Sequence, residues 1–81
     1  MNGKSKKTYD KVMSGKSDNS IVFNDFYNLL LDLGFIHRNT KGSHIQMKHP
    51  NGAFISIQNN NGKAKGFEVK ELRQKIINHE I

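Results

Sequence analysis

The residue pattern predicts an α+β fold: a three-stranded antiparallel sheet in the order α-β-β-β-α, with both main helices on one face and a short extra helix at the N-terminus. Three observations carry this expectation. Phe26, Leu29, Leu30 and Leu33 recur at helical spacing; Val69, Leu72, Ile76 and Ile77 do so near the C-terminus; and between them two alternating runs meet at Pro50-Asn51-Gly52. Eighty-one residues leave room for one core only.

Met1 to Thr8 is polar and lysine-rich and reads as an arm or the frayed start of a helix. Tyr9, Val12, Met13 and Lys16 fall at helical spacing, so a short helix is expected to end at Ser14-Gly15. Residues 1–20 are therefore read as a basic N-terminal arm with a short helix, and 21–81 as the main domain. In the second helix Asn24 is the expected cap, Asp25 suits the positive end of the dipole, and Gly34 supplies the left-handed stop.

Phe35 to Arg38 reads as a short strand and Asn39 to Gly42 as a turn. In Ser43 to His49, Ile45 and Met47 point one way while His44, Gln46 and Lys48 point the other. Ala53 to Gln58 repeats the alternation, with Ile55 and Ile57 on the apolar side and Phe54, Ser56 and Gln58 opposite. Asn59-Asn60-Asn61-Gly62 reads as a loop, and Lys63 to Gly66 leads into the last helix. Consecutive strands joined by short turns make a meander, whose polar face shows His44, Gln46 and Lys48 to solvent.

The net charge of +6 and a pI near 9.8 point to a polyanionic partner, nucleic acid first. Met1 to Lys16 balances at +4, Ser17 to Thr40 at −2 and Lys41 to Ile81 at +4, so the fold's basic half begins at the Lys41-Gly42-Ser43-His44 segment. With no cysteine, thiolate metal sites and disulfides are excluded. No apolar run approaches the ~20 residues that span a bilayer, and the expected location is the cytoplasm.

His44 is the candidate catalytic residue. Imidazole titrates near pH ~6.5, so it can take a proton from a ribose 2′-hydroxyl or give one to a departing 5′-oxygen. Arg38, Lys41 and Lys48 are placed to stabilise charge on the phosphoryl oxygens. Such cleavage needs neither metal nor cofactor. A histidine on a polar strand face is also what a plain basic surface shows. Gly42 and Ser43 either aim backbone N–H groups at an anion or simply make a turn. Lys63, Lys65 and Lys70, beside the last helix's first turns, are phosphate contacts or solvated charge. Phe54, and less so Phe67, can offer a base-stacking surface. His37, His44 and His49 do not make a convincing zinc set. The His44–His49 separation is odd, which splits them between strand faces, and no Cys, Asp or Glu lies between Arg38 and Pro50.

The chain resembles the HicA toxins of bacterial and archaeal toxin–antitoxin pairs. The matching residues are Ser14-Gly15-Lys16-Ser17-Asp18-Asn19, Ile21, Phe23, Phe26, Leu33-Gly34-Phe35 and Arg38; then Lys41-Gly42-Ser43-His44, Ile57-Gln58, Gly62-Lys63-Ala64-Lys65, Val69-Lys70 and Arg73. The resemblance implies a double-stranded-RNA-binding-domain-like fold of helix, three strands and helix, and a ribosome-independent mRNA interferase with His44 as its catalytic histidine; the cleavage chemistry through the 2′-hydroxyl makes it metal-independent. It also implies a HicB-like antitoxin that covers the active face. The chain departs from the resemblance at Gln58-Asn59-Asn60, where many members carry Pro-x-His, and at Gly66-Phe67, where close relatives tend to have Pro-Tyr. Two other readings stand beside it: a non-catalytic RNA-binding module of the same fold, and a protein that only binds a partner.

Overall fold

The computed structural model describes residues 1–81. Helix α1 (Gly3–Ser14) packs on α2 (Phe23–Asp32) and α3 (Gly66–Ile77), and those two cover one face of an antiparallel sheet. Its strands β1 (Ile36–Lys41), β2 (His44–Lys48), β3 (Phe54–Asn60) and β4 (Lys63–Ala64) lie side by side in that order. The α+β class and the meander match expectation. The sheet has four strands, however, not three.

Helix α1 starts earlier than the lysine-rich composition suggests. Asn2 caps it, its side-chain oxygen accepting from the Ser5 backbone N–H at 2.8 Å. Ser5, Thr8 and Val12, at i, i+3 and i+7, form its buried stripe. Two of these three are small and polar, so hydrophobic periodicity could not reveal the stripe. The buried Thr8 hydroxyl is satisfied by donating to the Lys4 carbonyl. The first residues are thus a packed helix rather than an arm, and Val12 joins the same core as α2, α3 and the sheet.

Helix α2 is not capped by Asn24. Val22 holds the cap position without a side-chain bond, because Phe23 N–H donates to the Gly62 carbonyl and Val22 bridges Lys63. The chain's entry into α2 is set by its pairing beside β4, and Asn24 falls inside the first turn. At the other end Gly34 (φ 103°) makes the expected left-handed stop. Phe35 N–H returns to the Leu30 carbonyl and Gly34 N–H to that of Leu31, which closes the last turn.

β1 runs on through Asn39, Thr40 and Lys41, residues expected in a turn. The register slips between His37 and Asn39, so Arg38 is the extra residue of a bulge. The turn is Gly42-Ser43 alone, with Gly42 at φ 59°, a two-residue hairpin with glycine at its first position. Likewise Asn59 and Asn60 belong to β3, and only Asn61 (φ 54°) and Gly62 (φ 88°) turn, both left-handed as a tight Asn-Gly hairpin requires. The short return strand β4 is what the loop reading of 59–62 concealed.

The core lies between the helices and the inner sheet face. Phe26, Leu29, Leu30, Met47, Ile55, Ile57, Val69 and Leu72 are wholly buried there, with Ile45 and Ile76 partly so. Ile77, expected in the α3 stripe, is exposed at the helix end. Arg73 clasps the segment between α1 and α2: it donates to the Asp18 carboxylate at 2.9 and 3.0 Å and to the Val12 carbonyl at 2.8 Å.

Candidate functional site

The sheet face away from the helices is uncovered, and the strand register arranges it in three rows. Lys41, His44 and Gln58 form the first, Asn39, Gln46 and Ser56 the second, and Ile36, Lys48 and Phe54 the third. From Leu33 to Phe67 the chain contains Arg38, Lys41, Lys48, Lys63 and Lys65 but no Asp or Glu. No carboxylate from the sheet strands opposes the cations of this face.

At the first row, His44 opens β2 immediately after the Gly42-Ser43 turn. Its Nδ1 lies 3.4 Å from Ser56 Oγ, across β3. Gln58, its cross-strand neighbour, donates from Nε2 to Ser43 Oγ at 2.7 Å and so ties the turn to β3. The Gln58 backbone N–H in turn donates to Glu68 Oε1 at 3.0 Å. Glu68, in the first turn of α3, is 1% exposed. Burial pushes its carboxyl above the usual range, against the Gln58 hydrogen bond and the charges of Lys65 and His44, which favour ionisation.

The three sheet imidazoles differ in what their nitrogens do. His37 points to the helix side, with Nδ1 at 3.1 Å from the Tyr27 hydroxyl and Nε2 at 2.8 Å from Thr40 Oγ1. His49 donates from Nε2 to the Leu33 carbonyl at 2.9 Å, while its Nδ1 accepts from the Asn51 N–H at 3.2 Å. In both, hydrogen bonds within the fold occupy each ring nitrogen. His44 has only Nδ1 engaged. With the proton on Nδ1 facing Ser56, the Nε2 lone pair points to solvent and is free to exchange a proton.

The expected cations separate into groups. Lys41 stands opposite His44, and Lys63 on β4 pairs with Asn60 at the same end of the sheet. Lys65 precedes α3, its ammonium 5.8 Å from the Phe67 ring centre and close enough to act on Glu68. Arg38 and Lys48 lie at the opposite end, four residues along β2 from His44, or about 13 Å. Lys70 does not join the His44 cluster; its charge acts on Asp18, on the Arg73 side. Gly42 and Ser43 form the turn beside His44, Ser43 as the acceptor of the Gln58 amide.

Ser56, Gln58 and Glu68 join the site beyond the catalytic and RNA-binding residues expected from the sequence. Alternation puts Ser56 and Gln58 on the outer face, yet only the β2–β3 register places them against His44 and Ser43. Glu68 carries no such signal: in sequence it is an ordinary acid in a helix's first turn. No three histidine or carboxylate side chains converge to hold a metal ion, and no helix is long and apolar enough to cross a membrane. Comparison with protein-family models, with curated proteins and with solved structures found no match.

Proposed function

We propose that the chain is an endoribonuclease of the HicA toxin type: a metal-independent mRNA interferase acting in the cytoplasm on a double-stranded-RNA-binding-domain-like scaffold. The observation that carries this is His44, the sheet imidazole with a free ring nitrogen, on a cationic face whose strands contribute no acid. Its Nε2 takes the proton of a ribose 2′-hydroxyl. The 2′-oxygen then attacks the adjacent phosphorus, the bond to the 5′-oxygen breaks, and the imidazolium returns a proton to that leaving oxygen. In this tautomer Nδ1 carries its proton toward Ser56 Oγ, 3.4 Å away, in both charge states of the ring. Lys41 opposite, with Lys63 and Lys65 nearby, offsets charge gathering on the phosphoryl oxygens.

A HicB-like antitoxin, the partner implied by the resemblance, would silence such an enzyme by covering the open face. The test is expression of the wild type and of His44→Ala in cells lacking an antitoxin. Growth arrest and mRNA loss are expected from the wild type alone. Equal arrest from both would remove His44 from the chemistry, and salt-sensitive RNA binding without fragments would favour the non-catalytic RNA-binding module.

A further inference from the structure

The third row of the open face differs from the other two. Phe54 is 46% exposed and Ile36 49%, and Lys48 stands between them on β2. Beside this row a hollow of about 220 Å³ is lined by Ile36, Arg38, Lys48, His49 and Pro50. Apolar walls and two cations therefore share one end of the sheet, and the imidazole occupies the other. The β1 bulge falls at this end of the sheet, and its extra residue, Arg38, lines the hollow together with Ile36.

We infer that Phe54, with Ile36, Arg38 and Lys48, forms a base-stacking subsite that selects single-stranded RNA, a step that rests on the RNA-cleaving reading above. An exposed ring on the sheet surface binds a base by stacking on the base's face, and in a duplex that face is already stacked on its neighbours. An unpaired nucleotide lays its base on Phe54 and against Ile36, while its phosphate meets Arg38 and Lys48. The strand then continues along β2 to His44. The base held on Phe54 lies about 13 Å from the cleavage point, so it belongs to a nucleotide flanking the cut. Every base has a π face, so the subsite tolerates sequence while it rejects duplex. An acidic protein surface would engage Lys48, Arg38 and the ring as well; what points to RNA is the unengaged imidazole of His44 on the same strand and the same face.

The test measures binding of fluorescein-labelled RNA at low salt in a His44→Ala background, with an unstructured oligonucleotide and its blunt duplex as probes. Phe54→Leu, which keeps apolar area and loses the π face, is expected to weaken single-strand binding about 5- to 150-fold, the range of one base–aromatic stack, with the duplex little changed. Phe54→Trp is expected to bind as well as the parent or more tightly. Thermal unfolding should match among the three, since Phe54 lies outside the core. Undiminished single-strand binding by Phe54→Leu, or a loss in Phe54→Trp, would overturn the subsite while leaving the RNA reading intact. Equal losses on single strand and duplex would overturn the selectivity. Absence of RNA binding in every variant, parent included, would overturn the RNA reading and the subsite together.

Discussion

Gln58 Nε2 donates to Ser43 Oγ at 2.7 Å, so a single side chain on β3 fixes the turn that presents His44 on β2. Removing it frees the turn without emptying the core. Gln58→Ala is expected to lower the RNA cleavage rate, by up to about 10²-fold if the imidazole shifts by about an ångström. KM and the melting temperature should stay nearly constant. A fall in binding affinity of the same size would instead make Gln58 a direct RNA contact.

The Asp18–Arg73 clasp is two parallel hydrogen bonds from guanidinium to carboxylate, 13% and 22% exposed at the two side chains. The Arg73 hydrogen bonds hold the Asp18 carboxyl below the usual carboxylate range, overcoming the opposing effect of partial burial. The folded value lies below the unfolded one. The clasp therefore contributes its full stability above the ordinary value of 3.8 and loses it as pH falls through the depressed value. Asp18→Asn should cost about 1–3 kcal/mol at neutral pH. Its thermal unfolding curve should also lose that part of the acid sensitivity.

Glu68 acts in the opposite sense. Its carboxyl is raised by burial, so its contribution is most favourable below the ordinary value of 4.5 and fades as pH rises through the raised one. Glu68→Gln keeps an oxygen for the Gln58 N–H and cannot ionise. Denaturant titrations from pH 4 to 7 should therefore show a shallower decline in stability for Glu68→Gln than for the wild type. An identical pH slope in both would show that Glu68 ionises without penalty.

Helices α2 and α3 end in the same hydrogen-bonding motif with different residues at its left-handed position. After α2 it is Gly34; after α3 it is His79 (φ 57°), with Glu80 N–H on the Lys75 carbonyl and His79 N–H on that of Ile76. A Cβ at Gly34 would also come within 2.8 Å of His49 Nε2, which caps the Leu33 carbonyl. Gly34→Ala should thus destabilise by more than the ~1–2 kcal/mol of a left-handed L residue, and Gly34→Ala/His49→Ala should not restore the wild type. His79→Gly should stabilise by about 0.5–1 kcal/mol, the relief of strain being offset in part by a looser unfolded chain. Chemical denaturation of the four proteins checks both directions.

Much of this molecule could be read from its residues where apolar periodicity was unbroken. The Phe26–Leu30 stripe, the Gly34 stop and the inward Met47, Ile55 and Ile57 all follow from spacing, and so does the outward set of His44, Gln46 and Lys48. Elements that rest on other forces were hidden. Helix α1 buries Ser5 and Thr8, whose small size permits close packing but leaves no hydrophobic signal. The Asn61-Gly62 turn makes β4 out of two residues, too few to alternate. Around His44 the sequence supplies the imidazole and the cations. Ser56 and Gln58 reach it only through a pairing register that no local pattern specifies, Glu68 through the packing of α3 against the Gln58 N–H, and the Arg38 bulge shifts β1 by a residue that strict alternation would not include.

The most direct measurement is cleavage of end-labelled single-stranded RNA by purified wild type and His44→Ala in buffer containing EDTA, with binding of the same RNA followed in parallel. A wild-type rate reduced about 10²- to 10⁴-fold in His44→Ala, at unchanged affinity and unchanged melting temperature, is the expected result. Equal cleavage by both proteins, or no cleavage by the wild type while it binds RNA, would contradict His44 as the catalytic group of this face.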